Sequence, residues 1–300
     1  MKRRLHSIIA IIALVVSPLL LVRCGVRPGE APAIDPVRAA NTGQPVDPIA
    51  TAVTTSPLAR VFVIGASASA GFQLRADDGR ALSIANVLDA TIRAEHDPVR
   101  SAATTLFFVQ PRVAGDTNLR LALAAEPTLV VALDFLFWYG YGVKASEDDR
   151  LRDLELGLAQ LDRLACDVLI ARIPDMRAAI GKMLTRAQVP QAATIVALNR
   201  RIDEWASARS HVVIVPLVEF IDRAKSGEPV GVGTTSFPAG AVGRLVQSDD
   251  LHPTLEGLAA MAVLALETWA SRRAGVAPEA FERDAAAIAA QVQGGAARSE

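Results

Sequence analysis

Five apolar runs recur along this chain, and segments with helical spacing separate them. The runs fall at 60–64, 104–110, 128–134, 167–172 and 211–215. Between them, apolar residues repeat at intervals of three and four, as at Leu151, Leu154 and Leu158. This alternation is typical of βαβ units, in which helices cover both faces of a parallel sheet. The sequence therefore predicts an α/β domain built on a mostly parallel sheet of five strands.

The first 24 residues predict a targeting segment. Three basic residues at positions 2–4 precede an apolar stretch at 8–22, which is short for a membrane span of about 20 residues and suits a signal peptide. Cys24 follows as in a bacterial lipoprotein signal, although Arg23 stands where that signal has a small residue. We therefore expect export to the periplasm, the cell surface or the medium. Lipidation at Cys24, cleavage further on and retention as a membrane anchor stay open.

Proline and glycine divide the rest of the chain. Six prolines between residues 25 and 57 predict a linker. A single domain follows at 58–275, and an alanine-rich helix or tail at 276–300 either packs on it or extends away. Within the domain, the many glycines at 216–249 predict a long irregular connection, an element that often borders a functional site.

Composition limits the partners of the chain. A formal net charge of −1 gives no general attraction to polyanions, so nucleic acid is not expected as a partner. Two cysteines are too few for a disulfide framework, and the four histidines show no metal-ligand spacing. We predict neither a metal nor a cofactor.

Ser67 is a candidate nucleophile because of where it stands. It follows the first apolar run within Gly65-Ala66-Ser67-Ala68-Ser69, and ligands of parallel α/β sheets bind beyond the carboxyl ends of the strands. Its small neighbours let a substrate carbonyl approach the backbone. A turn of small residues with no chemical role would have the same sequence.

Asp249 and His252 form a second candidate pair. A serine hydroxyl needs a positioned base, and the base needs an acceptor for its other ring nitrogen. The three-residue spacing lets Asp249 fold back onto His252, while Pro253 biases His252 away from helical geometry. Asp250 is a competing acceptor. The alternative is an aspartate that caps a helix beside a surface histidine.

Four segments of the chain resemble, in order, the sequence blocks of the SGNH/GDSL hydrolase family of serine esterases and lipases. They are Gly65-Ala66-Ser67-Ala68-Ser69, Val113-Ala114-Gly115-Asp116-Thr117, Leu129-Val130-Val131-Ala132-Leu133-Asp134 and Asp249-x-x-His252-Pro253. The last block is the most specific of the four. The resemblance to this family covers roughly residues 58–273.

The resemblance implies a flavodoxin-like three-layer α/β/α sandwich and ester hydrolysis through an acyl-enzyme. Ser67 would attack, His252 would take and return the proton, and Asp249 would orient His252. The oxyanion hole would consist of the backbone N–H groups of Ser67 and Gly115 and a side chain at the position of Asp134.

The chain departs from the family at Asp134, where the third block has asparagine. An ionised carboxylate cannot donate a hydrogen bond. Three outcomes are open: Asp134 is protonated and donates, it points elsewhere, or the site has lost its usual activity. Ala66 and Ala132 also replace the usual aspartate and glycine of their blocks.

Aromatic residues follow the third apolar run. Phe135, Trp138 and Tyr139 are candidates for lining an acyl or sugar pocket, and the alternative is packing against the sheet edge.

The leading functional hypothesis is an exported serine hydrolase that acts on lipid acyl esters or on O-acetyl groups of carbohydrate. A weak or inactive glycan- or lipid-binding module and an acyltransferase are the rivals. Attachment to a membrane would use the N-terminal segment or lipidated Cys24.

Overall fold

The computed structural model of the protein describes residues 56–295. The predicted targeting segment with Cys24, nearly all of the predicted linker and the last five residues lie outside the described residues. Five strands form one sheet in the order β2-β1-β3-β4-β5, and every neighbouring pair is parallel. The strands are β1 (Val61–Val63), β2 (Arg100–Ser101), β3 (Leu129–Ala132), β4 (Asp167–Ala171) and β5 (Val212–Val215).

Helices cover both faces of this sheet. Residues of the inner strands alternate between two cores: Val130 packs on one face and Val131 on the other, as expected for strands that are buried on both sides. Helices α1, α8 and α9 cover the face of Val131, and α2, α4 and α5 cover that of Val130. The predicted three-layer α/β/α sandwich with a parallel sheet is confirmed. The helices are α1 (Ile84–Thr91), α2 (Pro111–Ala124), α3 (Phe137–Gly140), α4 (Glu147–Leu161), α5 (Ala192–Ser207), α6 (Leu217–Lys225), α7 (Val242–Leu245), α8 (Leu255–Ala270) and α9 (Ala285–Gln293).

The predicted position of the second strand, at 104–110, is wrong. The edge strand β2 has only two residues, both exposed, and the apolar run at 104–110 instead forms a 3₁₀ turn over Phe107–Val109. Pro111 then occupies the first turn of α2, a position that suits proline because the N–H it lacks would have no helical partner. Only Phe107 of the 3₁₀ turn is buried.

The connection predicted as irregular at 216–249 contains regular structure. It forms α6, an antiparallel hairpin of β6 (Val230–Val232) and β7 (Thr235–Phe237), and the short α7. Gly227, Gly233 and Gly240 all have positive φ angles and lie between these elements. The glycines therefore mark the turns of this segment and do not make the whole of it irregular.

The C-terminal helix packs on the domain. Ile288 and Val292 of α9 are buried in the core that includes α1 and α8, and the Asp284 side chain caps the helix by accepting from the N–H groups of Ala286 and Ala287. The domain thus continues past the predicted boundary at residue 275.

The order of the strands places a crevice at the carboxyl ends of β1 and β3. From β1 the chain crosses to β2 on one side, and from β2 it returns to β3 on the other side. Connections diverge at such a point, and α/β proteins bind ligands there. Among residues 56–295 no helix has the length and apolar character needed to cross a bilayer, and that range contains no cluster of three or more His, Cys, Asp or Glu side chains arranged to hold a metal ion.

Candidate active site

The loop after β1 holds Ser67 in the crevice. Gly65 has φ +156°, and a Cβ atom on it would lie 2.1 Å from Oδ1 of Asp134, so no larger residue fits there. The N–H of Gly65 donates to Oδ1 of Asn118 at 2.8 Å, and the Asn118 amide donates to the Ala102 carbonyl at 2.8 Å. Buried Asn118 therefore ties the loop after β1 to the loop after β2.

Ser67, His252 and Asp249 form a continuous chain of hydrogen bonds. Oγ of Ser67 lies 2.9 Å from Nε2 of His252, and Nδ1 of His252 lies 2.7 Å from Oδ2 of Asp249. Ser67 and His252 are 185 residues apart in the sequence. They meet because β1 and the turn before α8 both end at the same edge of the sheet.

Asp249 is held as an acceptor. Its Oδ1 accepts from the N–H groups of Leu251 and His252, each at 2.9 Å. Burial raises the pKa of the Asp249 carboxyl, but the hydrogen bonds from His252 and Leu251 outweigh burial and leave the pKa below its ordinary value. Asp250 does not compete for the histidine, because its carboxylate pairs with Lys182.

The imidazole of His252 is fixed from several sides. It is 2% exposed, and the ring of Phe72 stacks on it at a centroid distance of 4.1 Å. The Gln247 side chain donates to the carbonyls of Phe72 and Pro253 at 2.9 and 2.8 Å. These contacts hold the ring in one orientation toward Ser67.

The structure does not support Asp134 as an oxyanion donor. Oδ1 accepts from the Ala66 N–H at 3.0 Å and from the Ser69 hydroxyl at 2.6 Å, while Oδ2 accepts from the Ser69 N–H at 3.1 Å. Of the three outcomes left open, the side chain takes the second: it points into the Ser67 loop. Asp134 fastens that loop to the end of β3.

The structure does not support Gly115 as an oxyanion donor either. It lies inside α2, where helix geometry directs its N–H at the carbonyl four residues earlier. A Cβ on Gly115 would lie 2.0 Å from the Tyr139 hydroxyl and 2.3 Å from Oε1 of Gln160. This glycine is needed for close packing. Although its segment resembles the second family block, Gly115 does not serve as the predicted oxyanion donor.

Two backbone N–H groups of the Ser67 loop are available to a ligand. Residues 66–72 form a helical turn, in which the Ala70 N–H donates to the Ala66 carbonyl at 2.9 Å. The first N–H groups of such a turn have no partner within it. Asp134 accepts from two of them, whereas those of Ser67 and Ala68 make no hydrogen bond within residues 56–295. They belong to the same turn as the Ser67 hydroxyl, so they are candidate donors to an oxyanion that forms at Ser67.

An apolar pocket with a volume of about 100 Å³ opens beside Ser67. Ser67, Asp134 and His252 contribute its polar groups, and the rest of the lining is apolar or glycine. The lining from α6 and its surroundings comprises Met176, Leu217, Phe220, Ile221, Leu245, Val246, Leu251, Pro253, Gly257 and Met261. The segment 216–249 thus borders the site, as its sequence predicts, although its conformation differs.

Of the three aromatic candidates, only Trp138 lines this pocket, together with Phe137. Phe135 and Tyr139 stand four residues apart and are fully buried against Phe107. The Tyr139 hydroxyl hydrogen-bonds the Gln160 side chain. The prediction of a substrate-binding role for Phe135 and Tyr139 is therefore wrong, because that face of the segment packs on the core.

Sequence reasoning missed several supporting residues. Asn118 could have been found as a polar residue beside Leu119 on the apolar side of a helix, where a buried amide needs partners. Phe72, Ser69 and Gln247 carry no comparable signal, because their roles depend on contacts made only after folding. The assembled site offers a hydroxyl nucleophile, a base with its orienting carboxylate, two N–H donors and an apolar pocket.

No protein family model matches this chain, and no curated protein matches it. Solved structures with a similar fold include a lipase/acylhydrolase from Enterococcus faecalis, with 14% identity, a TM-score of 0.49 and coverage of 75% of this chain and 98% of that one. TesA has 19% identity, a TM-score of 0.39 and coverage of 71% and 97%. An acetylxylan esterase from Geobacillus stearothermophilus has 14% identity, a TM-score of 0.43 and coverage of 71% and 95%.

Proposed function

We propose that this protein is a serine hydrolase that cleaves carboxylic esters through an acyl-enzyme. The observation that carries the proposal is the hydrogen-bonded chain from Ser67 through His252 to Asp249. His252 takes the proton of the Ser67 hydroxyl as Oγ attacks the ester carbonyl, and Asp249 stabilises the imidazolium that forms. His252 then protonates the leaving alcohol. In the second half of the reaction, His252 takes a proton from water as water attacks the acyl-enzyme, and it returns that proton to the oxygen of Ser67 as the acid leaves.

The oxyanion in this proposal is bound by the turn that carries the nucleophile. The N–H groups of Ser67 and Ala68 take the place of the predicted donors Gly115 and Asp134. One such donor contributes about 10²–10³-fold in rate when it is already positioned for the transition state. The hydrogen bonds from Ala66 and Ser69 to Asp134 keep the turn in that conformation before substrate arrives.

A serine-directed fluorophosphonate tests the nucleophile without knowledge of the substrate. We expect one covalent adduct, found by peptide mass spectrometry on Ser67 and not on neighbouring Ser69. The base at His252 activates only the hydroxyl it contacts. An unlabelled wild-type protein, or labelling that persists in Ser67→Ala, would contradict the proposal and favour the alternative of an inactive binding module.

The pocket favours lipid acyl esters over carbohydrate O-acetyl groups. Apart from the three polar groups at Ser67, its walls present hydrophobic side chains from α6, α8 and the segment before His252. An acetyl group would leave most of these walls in contact with water. A longer acyl chain removes them from water and gains about 0.8 kcal/mol for each buried CH₂.

We therefore expect kcat/KM for p-nitrophenyl esters to rise about fourfold per added CH₂ from acetyl until the pocket is filled. Ile221→Trp, which narrows the pocket, should lower the ratio of hexanoyl to acetyl ester hydrolysis. Leu156→Trp, on α4 outside the pocket, should leave that ratio as in the wild type. A wild-type ratio below one would reject the acyl-chain assignment and favour O-acetyl substrates.

Export and membrane attachment belong to the same proposal. They are supported by the basic and apolar N-terminal sequence with Cys24, and cell fractionation with mass spectrometry of the mature N-terminus tests them. Acyl transfer to an alcohol would use the same acyl-enzyme. Product analysis in the presence of glycerol distinguishes transfer from hydrolysis.

A further inference from the structure

Exposed apolar side chains are concentrated in one part of the described chain. Of the ten large hydrophobic side chains that are exposed within residues 56–295, six lie between residues 106 and 123. Four of them are close together in the loop after β2 and at the start of α2. These are Leu106, Phe108, Val109 and Val113, here called the 106–113 patch. Single exposed hydrophobic residues are ordinary, but a group of them marks an interaction surface.

The 106–113 patch borders the Ser67 pocket. The Phe108 ring packs on the Trp138 ring at a centroid distance of 5.6 Å, and Trp138 lines the pocket. The loop that carries the patch is joined to the nucleophile loop, since the Thr104 N–H donates to the Gly65 carbonyl at 3.1 Å. A surface bound to the patch would therefore lie beside the entrance to the site.

The segment of the chain that carries the patch has a positive formal charge. Residues 99–124 contain three arginines and one aspartate, a formal charge of +2 in a chain whose net charge is −1. Within the described residues, Arg100 and Arg120 form no ion pair, and Arg112 pairs with Asp153. Apolar side chains among basic residues fit an anionic lipid surface, where the former enter the interface and the latter face the headgroups.

The chain before Ser56 is long enough for the patch to reach a bilayer to which the N-terminal segment is attached. The apolar stretch at 8–22 is followed by 33 residues before the first described residue, Ser56. Fully extended, 33 residues span at most about 120 Å, which exceeds the diameter of a domain of this size. Attachment of the N-terminal segment to a bilayer therefore does not prevent the patch from reaching that bilayer.

We propose that the 106–113 patch inserts into the surface of an anionic lipid bilayer. The insertion orients the Ser67 pocket toward the membrane, where acyl esters are concentrated. It is separate from ester hydrolysis, and its test measures binding, so either proposal can fail alone.

The test uses the full chain with vesicles of phosphatidylcholine containing phosphatidylglycerol and brominated lipid, which quenches nearby tryptophan. Tryptophan occurs only at 138, 205 and 269, so the N-terminal segment contributes no signal. Val109→Trp places a reporter in the patch, and Val196→Trp places a matched reporter at a similarly exposed site on α5. Trp138 lies beside the patch in every variant, so quenching is compared with that of the wild type. We expect additional quenching for the tryptophan at 109 and no additional quenching for the tryptophan at 196.

Charge variants complete the test. In the Val109→Trp protein, Leu106→Glu with Val113→Glu should abolish the quenching, whereas Val143→Glu should not. Equal quenching at 109 and 196, or quenching that survives both glutamates, would overturn the proposal. A concentration-dependent dimer that the two glutamates dissociate, with no quenching by vesicles, would also overturn it and assign the patch to a second copy of the chain.

Discussion

Ser67→Ala is expected to reduce kcat for p-nitrophenyl ester hydrolysis by about 10⁵–10⁶-fold, as removal of a serine nucleophile does elsewhere. Within residues 56–295 the hydroxyl is the hydrogen-bond partner of Nε2 of His252, at 2.9 Å, and the acyl-enzyme cannot form without it. Stability should change little, because the Ser67 side chain makes this one hydrogen bond within residues 56–295. Steady-state kinetics and thermal unfolding of the same preparation measure both quantities.

A second comparison separates a catalytic unit from independent contributions. His252→Ala alone and combined with Ser67→Ala should lose about as much activity as Ser67→Ala, since residues that act as a unit are not additive. Ser207→Ala, at an exposed position on α5, is the control and should keep wild-type activity. Comparable hydrolysis by Ser67→Ala and the wild type would remove the nucleophile from the proposed function.

Asp134→Ala is expected to destabilise the domain by at least about 3 kcal/mol, because three donors lose one shared acceptor at about 1–3 kcal/mol each. These donors are the N–H groups of Ala66 and Ser69 and the Ser69 hydroxyl. Ester hydrolysis should fall as well, since the turn that carries Ser67 loses its attachment to β3. Denaturant unfolding and kcat/KM of the folded variant measure the two effects.

Asp134→Asn distinguishes an anchoring role from an oxyanion role. An amide offers one acceptor oxygen and an NH₂ group that would face a backbone N–H, so we expect kcat/KM to fall about tenfold to a hundredfold. Asp148→Asn, an exposed substitution of the same kind in α4, should have no effect. A gain of activity in Asp134→Asn would instead show that this side chain reaches the oxyanion.

The sequence predicts the sheet and the trio of Ser67, Asp249 and His252 because both depend on local pattern. Apolar runs alternating with helical spacing specify parallel strands covered on both faces. The Asp249-x-x-His252 spacing suffices to bring the carboxylate to the imidazole, since a three-residue turn closes on itself. Ser67 then needs only to follow β1 for the crevice to bring it to the histidine.

The errors lie where packing decides between conformations that the sequence allows equally. The run 104–110 has strand composition, but at the sheet edge it turns, and most of its apolar side chains face outward. The roles predicted for Gly115 and Asp134 rest on a resemblance in sequence position, yet the register of α2 and the direction of one carboxylate decide what each of them contacts. Neither can be read from residue type alone.

The contact between Gly65 and Asp134 has a consequence for variation at the site. Because any side chain at 65 would collide with the carboxylate at 134, and because that carboxylate holds the loop of 65, neither position can change alone without loss. Ser69, whose Oγ would lie 2.8 Å from the same Cβ, joins the two positions in one epistatic set. A mutant library that varies them one at a time would record both as intolerant, and only joint substitutions would reach the sequences in which another pairing holds the nucleophile.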